Sequence, residues 1–541
     1  MSGGQPEGAA KKRFSRSRAP GRAGTPNRMK SDSGRTVSLW MATGDTGVQP
    51  ELKQDVTADV CVVGAGVAGL TTAYLLGKEG KKVVLLDDGP VCGGETSRTT
   101  AHLSYYFDDG LSTGEGLLGT DDLRTAVESH RAAVDRIEQT VKDEKIDCDF
   151  FRVDGYLYVS PNGQGQDFLE KELEVAKRIG WKEVKWAERA PLTGYETGRC
   201  LRVPKQAQFH PLKYLAALVQ RVWNQGGAVH ANTHAEKIEG GTKARVTTSG
   251  GATVTADAVV VATNSPVNDR VAIHTKQSPW RTYVIGLRIP KGSVTRALFW
   301  DTEDPYHYVR TQTVDGADYD VLISGGEDHK VGQANDPDQR YARIEKYTRE
   351  RFPMAGRLEF HWSGQIMEPI DCVSYTGRNP LDADNVFVHT GDSGMGMTHG
   401  TMAGILLTDL IAGRENPWAK LYDPSRVNPK ALHTYAKDNL TVAALYKDLV
   451  TPGQVSDVNH IAPRTGAVVR RGMAKVAVYR DENDRLHERS AVCTHMGCVV
   501  RWNYGEGSWD CPCHGSRFDP YGRPINGPAN EPLGPAGPAR E

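Results

Sequence analysis

The stretch DVCVVGAGVAGLTTAYLLGKEGKKVVLLDDG, Asp59 to Gly89, constrains this chain more than any other. Asp59–Val63 is a short β-rich run, Leu70–Lys78 has helical apolar spacing, and Val83–Leu86 is a second buried strand. Strand, glycine turn, helix and strand make one βαβ unit. The turn is GAGVAG. Gly64 permits the tight bend, Gly66 lets a pyrophosphate approach the backbone, and Gly69 lets the helix pack closely on the strand. The helix N-terminus then faces the phosphates. Asp87 ends the second strand about 20 residues on, where a carboxylate meets the adenosine ribose hydroxyls. Alone the motif is weak; in this strand–helix–strand setting it predicts dinucleotide binding.

No second GxGxxG stands in a strand–helix setting. A flavoprotein reductase using NAD(P)H needs two such sites, so a single one predicts FAD alone. Further elements are legible. Asp121–Val141 is an amphipathic helix with Val127, Ala133, Val134 and Ile137 on one side. Val259–Ala262 and Asn385–Thr390 are buried strands, and residues 280–325 carry short aromatic and β-branched runs that predict an antiparallel sheet. A glycine-rich turn and an apolar helix, Thr401–Ala412, follow the second of these strands.

At HTGDSGMGMTHGTMAG, His389 to Gly404, the chain resembles the D-amino-acid oxidase/glycine oxidase superfamily of FAD enzymes. The resemblance implies that this strand, glycine loop and helix return to the FAD domain. The helix N-terminus then faces the flavin pyrimidine oxygen, with Gly391, Gly394, Gly396, Met397 and Thr398 in that role. A helix dipole there stabilises negative charge on reduced flavin. GGETSRTTAHL, Gly93–Leu103, is similar to the family's block against the flavin ring, which implies cofactor contacts for Thr96, Arg98 and Thr99. VVVATNSP (Val259–Pro266) and WSGQIMEPIDCVSYTGR (Trp362–Arg378) are further blocks, and the resemblance covers roughly residues 55–415.

The rest of the chain needs another explanation. At 541 residues it has room for two or three domains. Cys61, Cys92, Cys148, Cys200 and Cys372 are scattered singly, whereas four more cysteines crowd into positions 493–513. Scattered cysteines predict a reducing, cytoplasmic compartment; the cluster predicts a site. In CTHMGC, Cys493 and His495 are two apart, and in CPCHGS, Cys511 and His514 are three apart. A Cys₂His₂ zinc site is one reading, but zinc fingers usually pair their cysteines and their histidines separately. One cysteine and one histidine per loop suits a [2Fe–2S] cluster with two thiolates on one iron and two imidazoles on the other.

This pair of blocks resembles the Rieske domain of the cytochrome bc-complex type, and GPAN, Gly527–Asn530, is similar to that family's proline loop. The resemblance implies Cys493, His495, Cys511 and His514 as cluster ligands, and a disulfide between Cys498 and Cys513. A stable disulfide is unexpected in the cytoplasm. Where such domains often carry a tyrosine, two places after the serine of CHGS, this chain has Phe518. Ser516 can still donate to cluster sulfur, so the expected potential lies below the top of the Rieske range, about −150 to +300 mV.

These readings predict an α/β (α+β) fold. A Rossmann-like FAD-binding domain is interleaved with an antiparallel-sheet substrate domain, and a small all-β Rieske domain follows. The expected boundaries are a disordered basic tail over 1–50, the oxidoreductase over 51–413, a helical linker over 414–455 and the Rieske domain over 456–541. The tail carries Lys11, Lys12, Arg13 and further basic residues among Gly, Ser and Pro, suited at most to an acidic partner or to peripheral contact with an anionic membrane. A net charge of −1 gives no reason to expect nucleic acid, and no run of about 18 apolar residues predicts a transmembrane segment.

The order of blocks, with SLWMAT, SHRAAVDRIE, IDCDF and GGEDHKVG, resembles bacterial FAD-dependent oxidoreductases with a C-terminal Rieske domain. It implies a dehydrogenase acting on a small-molecule substrate, an amine or amino acid, by hydride transfer to flavin N5. Single electrons then pass to the cluster and on to an external acceptor, a protein or a quinone. Competing readings are a redox sensor or electron carrier without turnover, and an oxidase using O₂ with a regulatory cluster. A ring-hydroxylating oxygenase is disfavoured, because residues 100–380 show no compelling motif for a two-His-one-carboxylate iron. His102 and His210 are candidates to line the substrate pocket and Arg378 to bind a substrate carboxylate; for each a structural role competes.

Overall fold

The computed structural model describes residues 33–159, 165–268 and 273–537. Its first unit is the βαβ that GAGVAG announces: β1 (Val60–Val63), α1 (Val67–Lys78) and β2 (Val83–Leu86). They join β3 (Ala228–His230), β4 (Ala258–Val261), β5 (Tyr375–Arg378) and β6 (Val386–Thr390) in a six-stranded sheet of order β5-β6-β4-β1-β2-β3. All neighbours are parallel except β5 on β6. Every residue of β1, β2, β4 and β6 is buried, as expected for strands covered on both faces. The late helix α2 (Gly396–Ile411) lies against α1 so closely that a Cβ on Gly404 would fall 2.5 Å from Thr71 Cγ2.

The second unit is a nine-stranded, largely antiparallel sheet. Its central strands, Gln277–Pro290, Tyr319–Lys330 and Leu358–Pro369, pair in long registers, with Val284 opposite both Gly325 and Trp362. The aromatic and β-branched runs of 280–325 thus form the predicted sheet. Beyond α2, Leu432–Leu445 is a helix with no buried residue; Val442 and Leu445 near its end pack on the last domain. That domain has two small antiparallel sheets, Thr465–Arg471 with two following strands, and four short strands between Arg501 and Asn526. Trp502 and Trp509 centre its core, with ring centroids 4.9 Å apart.

The N-terminal segment departs from the tail reading. Its basic residues up to Lys30 lie outside the described residues, but residues 33–43 pack between the oxidoreductase and the last domain. Ser38 caps a short helix, Leu39–Thr43, by accepting from Met41 N, and donates to Ser97 O at 2.6 Å. Leu39 and Trp40 are fully buried, and Trp40 Nε1 donates to Thr99 O at 2.6 Å. Composition averaged over 50 residues hid one apolar patch, LWM, with a core site to fill.

Candidate active site and cluster centre

A cavity of about 570 Å³ runs from GAGVAG across the oxidoreductase unit to the last domain. Its cradle is set by backbone approach. Gly64 has φ +102°, and a Cβ there would lie 2.3 Å from Ala262 O. A Cβ on Gly69 would lie 1.9 Å from Gly64 O, so only glycine lets α1 sit on β1. Gly66 borders the cavity beside Thr96, whose Oγ1 accepts from Val67 N at 3.2 Å. Asp87 lines the cavity at the end of β2; its Oδ2 accepts from Ala65 N at 2.6 Å, tying the acid to the glycine turn. The space left by these glycines, at the N-terminus of α1, fits a dinucleotide diphosphate.

The late glycine loop meets the same cavity. Gly394, Gly396, Met397 and Thr398 line it, and Thr398 Oγ1 donates to Ser104 O at 2.8 Å. Gly391 stands back, making the turn at φ +76°. Thr99 lines the cavity, whereas the Arg98 guanidinium is engaged elsewhere, with Thr36 Oγ1 and Ser363 O at 2.8 Å each and Glu506 at 3.2 Å. Arg98 also lines the cavity, and its guanidinium takes part in an interdomain ion network that its motif did not announce.

The three candidate substrate residues separate. His102 lines the cavity, with Tyr308 5.6 Å away edge-on, and its Nδ1 is 3.0 Å from Thr100 Oγ1. Burial, with Arg310 nearby, lowers its pKa to about 3, so the imidazole is neutral. His210 does not reach the cavity: it caps the helix Pro211–Asn224 by accepting from Lys213 N, and its Nε2 is 2.9 Å from Thr43 Oγ1. Arg378 is exposed and paired with Asp384 at 3.4 Å. Both corrections have the same reason: neither side chain borders the cavity, and each is engaged by other partners.

Sequence reasoning missed the acidic end of the cavity. Asp108, Asp109 and Asp328 line it, with Trp300, Tyr306 and Tyr308. Tyr306 Oη lies 2.9 and 3.0 Å from the two Asp108 oxygens. Burial, then the charge of Asp109, pushes Asp108 up to about 7, and burial pushes Asp328 up to about 6. Glu368, behind them, is raised well above the usual range by burial and then by Asp109 and Asp108. The available signals were the acidic pair in YYFDDG and the acid in GGEDHKVG; neither spacing names a role.

In the last domain CTHMGC and CPCHGS come together as two tight loops. Gly497 N donates to Cys493 O and Cys511 N to Ser516 O, which turns each loop back on itself. Cys493 and Cys511 are buried, free and in contact with each other, and the His495 and His514 rings stand 5.1 Å apart at 90°. His514 Nδ1 is buried without a hydrogen-bond partner, as suits an atom waiting for iron. Cys498 and Cys513 are joined as a disulfide with Cα atoms 6.5 Å apart. Cys511 sulfur lies within 4.8 Å of both bridged sulfurs, but those are covalently satisfied, so the free thiols and the imidazoles form the donor set. Two thiols in contact and two neighbouring imidazoles fit a Rieske cluster. Ser516 contacts the Cys493 thiol and accepts from Ala529 N at 3.0 Å; Phe518 is fully buried.

The cluster loops dock onto the cavity wall. Gln365, which lines the cavity, donates from Nε2 to Gly515 O at 2.8 Å, in the loop that carries His514. Asn526, Gly527 and Asn530 close part of the cavity, and Asn530 Nδ2 donates to Ala235 O at 3.0 Å. His274 of the oxidoreductase unit stacks edge-on at 4.9 Å from His495. Around this junction runs a buried ion network in which Glu506 meets Arg98, Arg281 meets Asp510 at 2.9 Å, and Arg517 meets Glu95 at 3.2 Å.

Fold and site together define a flavin-dependent oxidoreductase coupled to an iron–sulfur domain. The family described as FAD dependent oxidoreductase matches residues 59–410, and the Rieske [2Fe-2S] domain matches residues 451–536. The chain belongs to this FAD-dependent oxidoreductase family, carries a C-terminal Rieske domain, and has FAD and a [2Fe–2S] cluster as its cofactors. It is 30% identical over 500 residues to YhfW of Bacillus subtilis (strain 168), named for a Rieske 2Fe-2S iron-sulfur protein, covering 92% of this chain and 96% of that one. It is 28% identical over 374 residues to gamma-glutamylputrescine oxidoreductase of Escherichia coli (strain K12), covering 67% and 85%. Glycine oxidase from Geobacillus kaustophilus shares the fold at a TM-score of 0.58 and 19% identity, covering 69% of this chain and 99% of that one. Among the described residues no helix is long and apolar enough to cross a membrane.

Proposed function

We propose that this enzyme dehydrogenates a small amine or amino acid and delivers the electrons one at a time, through its own Rieske domain, to an external acceptor. The observation that carries the reading is the shared wall: one cavity is bounded by the glycine cradle, the acidic end and the proline loop, and Gln365 connects it to the cluster loop. The bound cofactors would supply hydride acceptance from a carbon next to nitrogen and one-electron transfer. Gly64, Gly66 and Thr96 would hold the diphosphate and Asp87 the ribose, while Gly394, Gly396, Met397 and Thr398 would border the flavin. Cys493, Cys511, His495 and His514 would hold the cluster.

The chain's own residues supply position and charge. His102, neutral, contributes an aromatic, uncharged wall beside Tyr308. Asp108, with a pKa near neutrality, can take up a proton close to the late glycine loop. Similarity to gamma-glutamylputrescine oxidoreductase and to a glycine oxidase supports chemistry at a carbon–nitrogen bond. The test is anaerobic addition of candidate amines and amino acids to the holoprotein. Flavin bleaching followed by the reduced-Rieske EPR signal is the expected result. Bleaching with a cluster that stays oxidised would remove the relay.

A further inference from the structure

The carboxyl groups around the cavity differ in how they are compensated. Asp301 and Glu303 are answered by His307 and Arg351, Glu95 by Arg517, Asp392 by His389, and Asp87 by loop amides. Asp108, Asp109 and Asp328 face the cavity from two different segments, and Glu368 stands behind them. Among the described residues no arginine or lysine forms an ion pair with any of these four. Asp108 has only Tyr306 Oη and the nearby Gly394 amide; Asp328 bonds to Thr282 and feels His307 and Arg340 without pairing to either, and its Oδ1 is buried with no hydrogen-bond partner. Among the described residues the cavity lining contains no lysine, and its one arginine, Arg98, is committed to Glu506.

Such a group of carboxyls cannot ionise together in a low-dielectric space without an incoming cation. A substrate carboxylate at this end would meet like charge and no guanidinium. An amine, in contrast, is oxidised at carbon only once its own nitrogen has lost its proton, so the reacting nitrogen cannot remain the counter-ion. A second, non-reacting ammonium is what the wall lacks.

We infer that the acidic end of the cavity, formed by Asp108, Asp109 and Asp328, binds the non-reacting ammonium group of a diamine or longer polyamine and disfavours amino-acid zwitterions. This deepens the amine branch of the proposed function and rests on that reading for the identity of the reacting end. The aromatic residues Trp300, Tyr306 and Tyr308 beside the acids suit an alkyl ammonium, through cation–π contact and methylene packing.

The test is anaerobic titration of the holoprotein, followed by flavin difference absorption, with 1,4-diaminobutane, spermidine, n-butylamine, glycine and L-proline. Either polyamine should bind at least about tenfold tighter than n-butylamine, and the zwitterions should bind more weakly than n-butylamine. Asp328→Asn should erase most of the diamine's advantage over n-butylamine, while moving the n-butylamine constant by no more than about twofold. Should that variant not fold, the wild-type ligand series decides alone. Equal or tighter binding of glycine or proline, no binding of either polyamine, or an undiminished diamine preference in a folded Asp328→Asn variant would each overturn the inference. The two readings fail separately: dication binding without bleaching sinks the dehydrogenase and leaves this site standing. Bleaching by an amino acid alone keeps the dehydrogenase and sinks this site.

Discussion

Replacing Glu506 by Gln probes what holds the cluster domain against the flavin domain. Glu506 is fully buried, 3.2 Å from Arg98. Its Oε1 accepts from Thr36 Oγ1 and Ser363 Oγ at 2.6 Å each, and its Oε2 accepts from Thr36 N at 3.1 Å. Burial alone would raise this carboxyl. The guanidiniums of Arg98, Arg281 and Arg517 overcome that effect and hold its pKa at about 2, against an ordinary 4.5. That difference corresponds to roughly 3 kcal/mol of stability at neutral pH. Glutamine keeps the shape, loses the charge, and must turn its NH₂ toward a donor, because both oxygens accept. The expected loss is about 3–5 kcal/mol, the cost of breaking a buried ion network from one side. The folded pKa is depressed, so the contribution is whole above about pH 4.5 and fades as pH falls toward about 2. The gap between wild type and variant should be flat from about pH 8 to 5.5 and narrow below that. Urea unfolding of the holoprotein, followed by tryptophan fluorescence and by the visible absorption of the cluster, measures it. A variant that loses less than about 1 kcal/mol at pH 7 would refute the reasoning, since it would show that water and repacked arginines replace the charge.

Other perturbations have equally definite outcomes. Gly69→Ala places a methyl 1.9 Å from Gly64 O, so α1 must move off β1; FAD retention, measured by gel filtration and flavin absorbance, should fall by about 10- to 100-fold. Ser516→Ala removes the hydroxyl at the Cys493 thiol and should lower the cluster midpoint potential in a redox titration by on the order of 60 mV, one charge-assisted hydrogen bond's worth. Phe518→Tyr should raise that potential if its hydroxyl reaches sulfur, and an unchanged value would mean that the buried strand position cannot deliver it. The Cys498→Ser/Cys513→Ser double variant removes a link closing 15 residues, so the cluster domain should lose about 3 kcal/mol and bleach its cluster at lower urea.

The parts legible in the sequence are those whose physics is local. A glycine at 69 is required by contacts within the strand–turn–helix itself, and Cys493, His495, Cys511 and His514 sit on two short loops whose spacing suits a cluster and whose resemblance to the Rieske domain names it. The same holds for the fully apolar strands β1, β2, β4 and β6, which only a sheet covered on both faces explains. The single-residue roles were less legible. His210 and Arg378 stand in suggestive motifs, yet a helix cap and a surface ion pair account for them, because a motif does not say which way a side chain points.

What only the tertiary structure decided is how distant segments neutralise one another. Thr36 meets Glu506 across 470 residues of chain, and Ser33 Oγ lies 3.1 Å from an Arg517 nitrogen across 484. Arg98 joins the interdomain network for the same reason. Asp108 and Asp328 share a cavity wall on which, among the described residues, no lysine or arginine forms an ion pair with either. Backbone geometry and metal-ligand spacing act over a few residues, so sequence alone determined a dinucleotide fold and a cluster centre. Charge compensation acts through space, so folding determined how the two centres are joined and which charge the substrate end lacks.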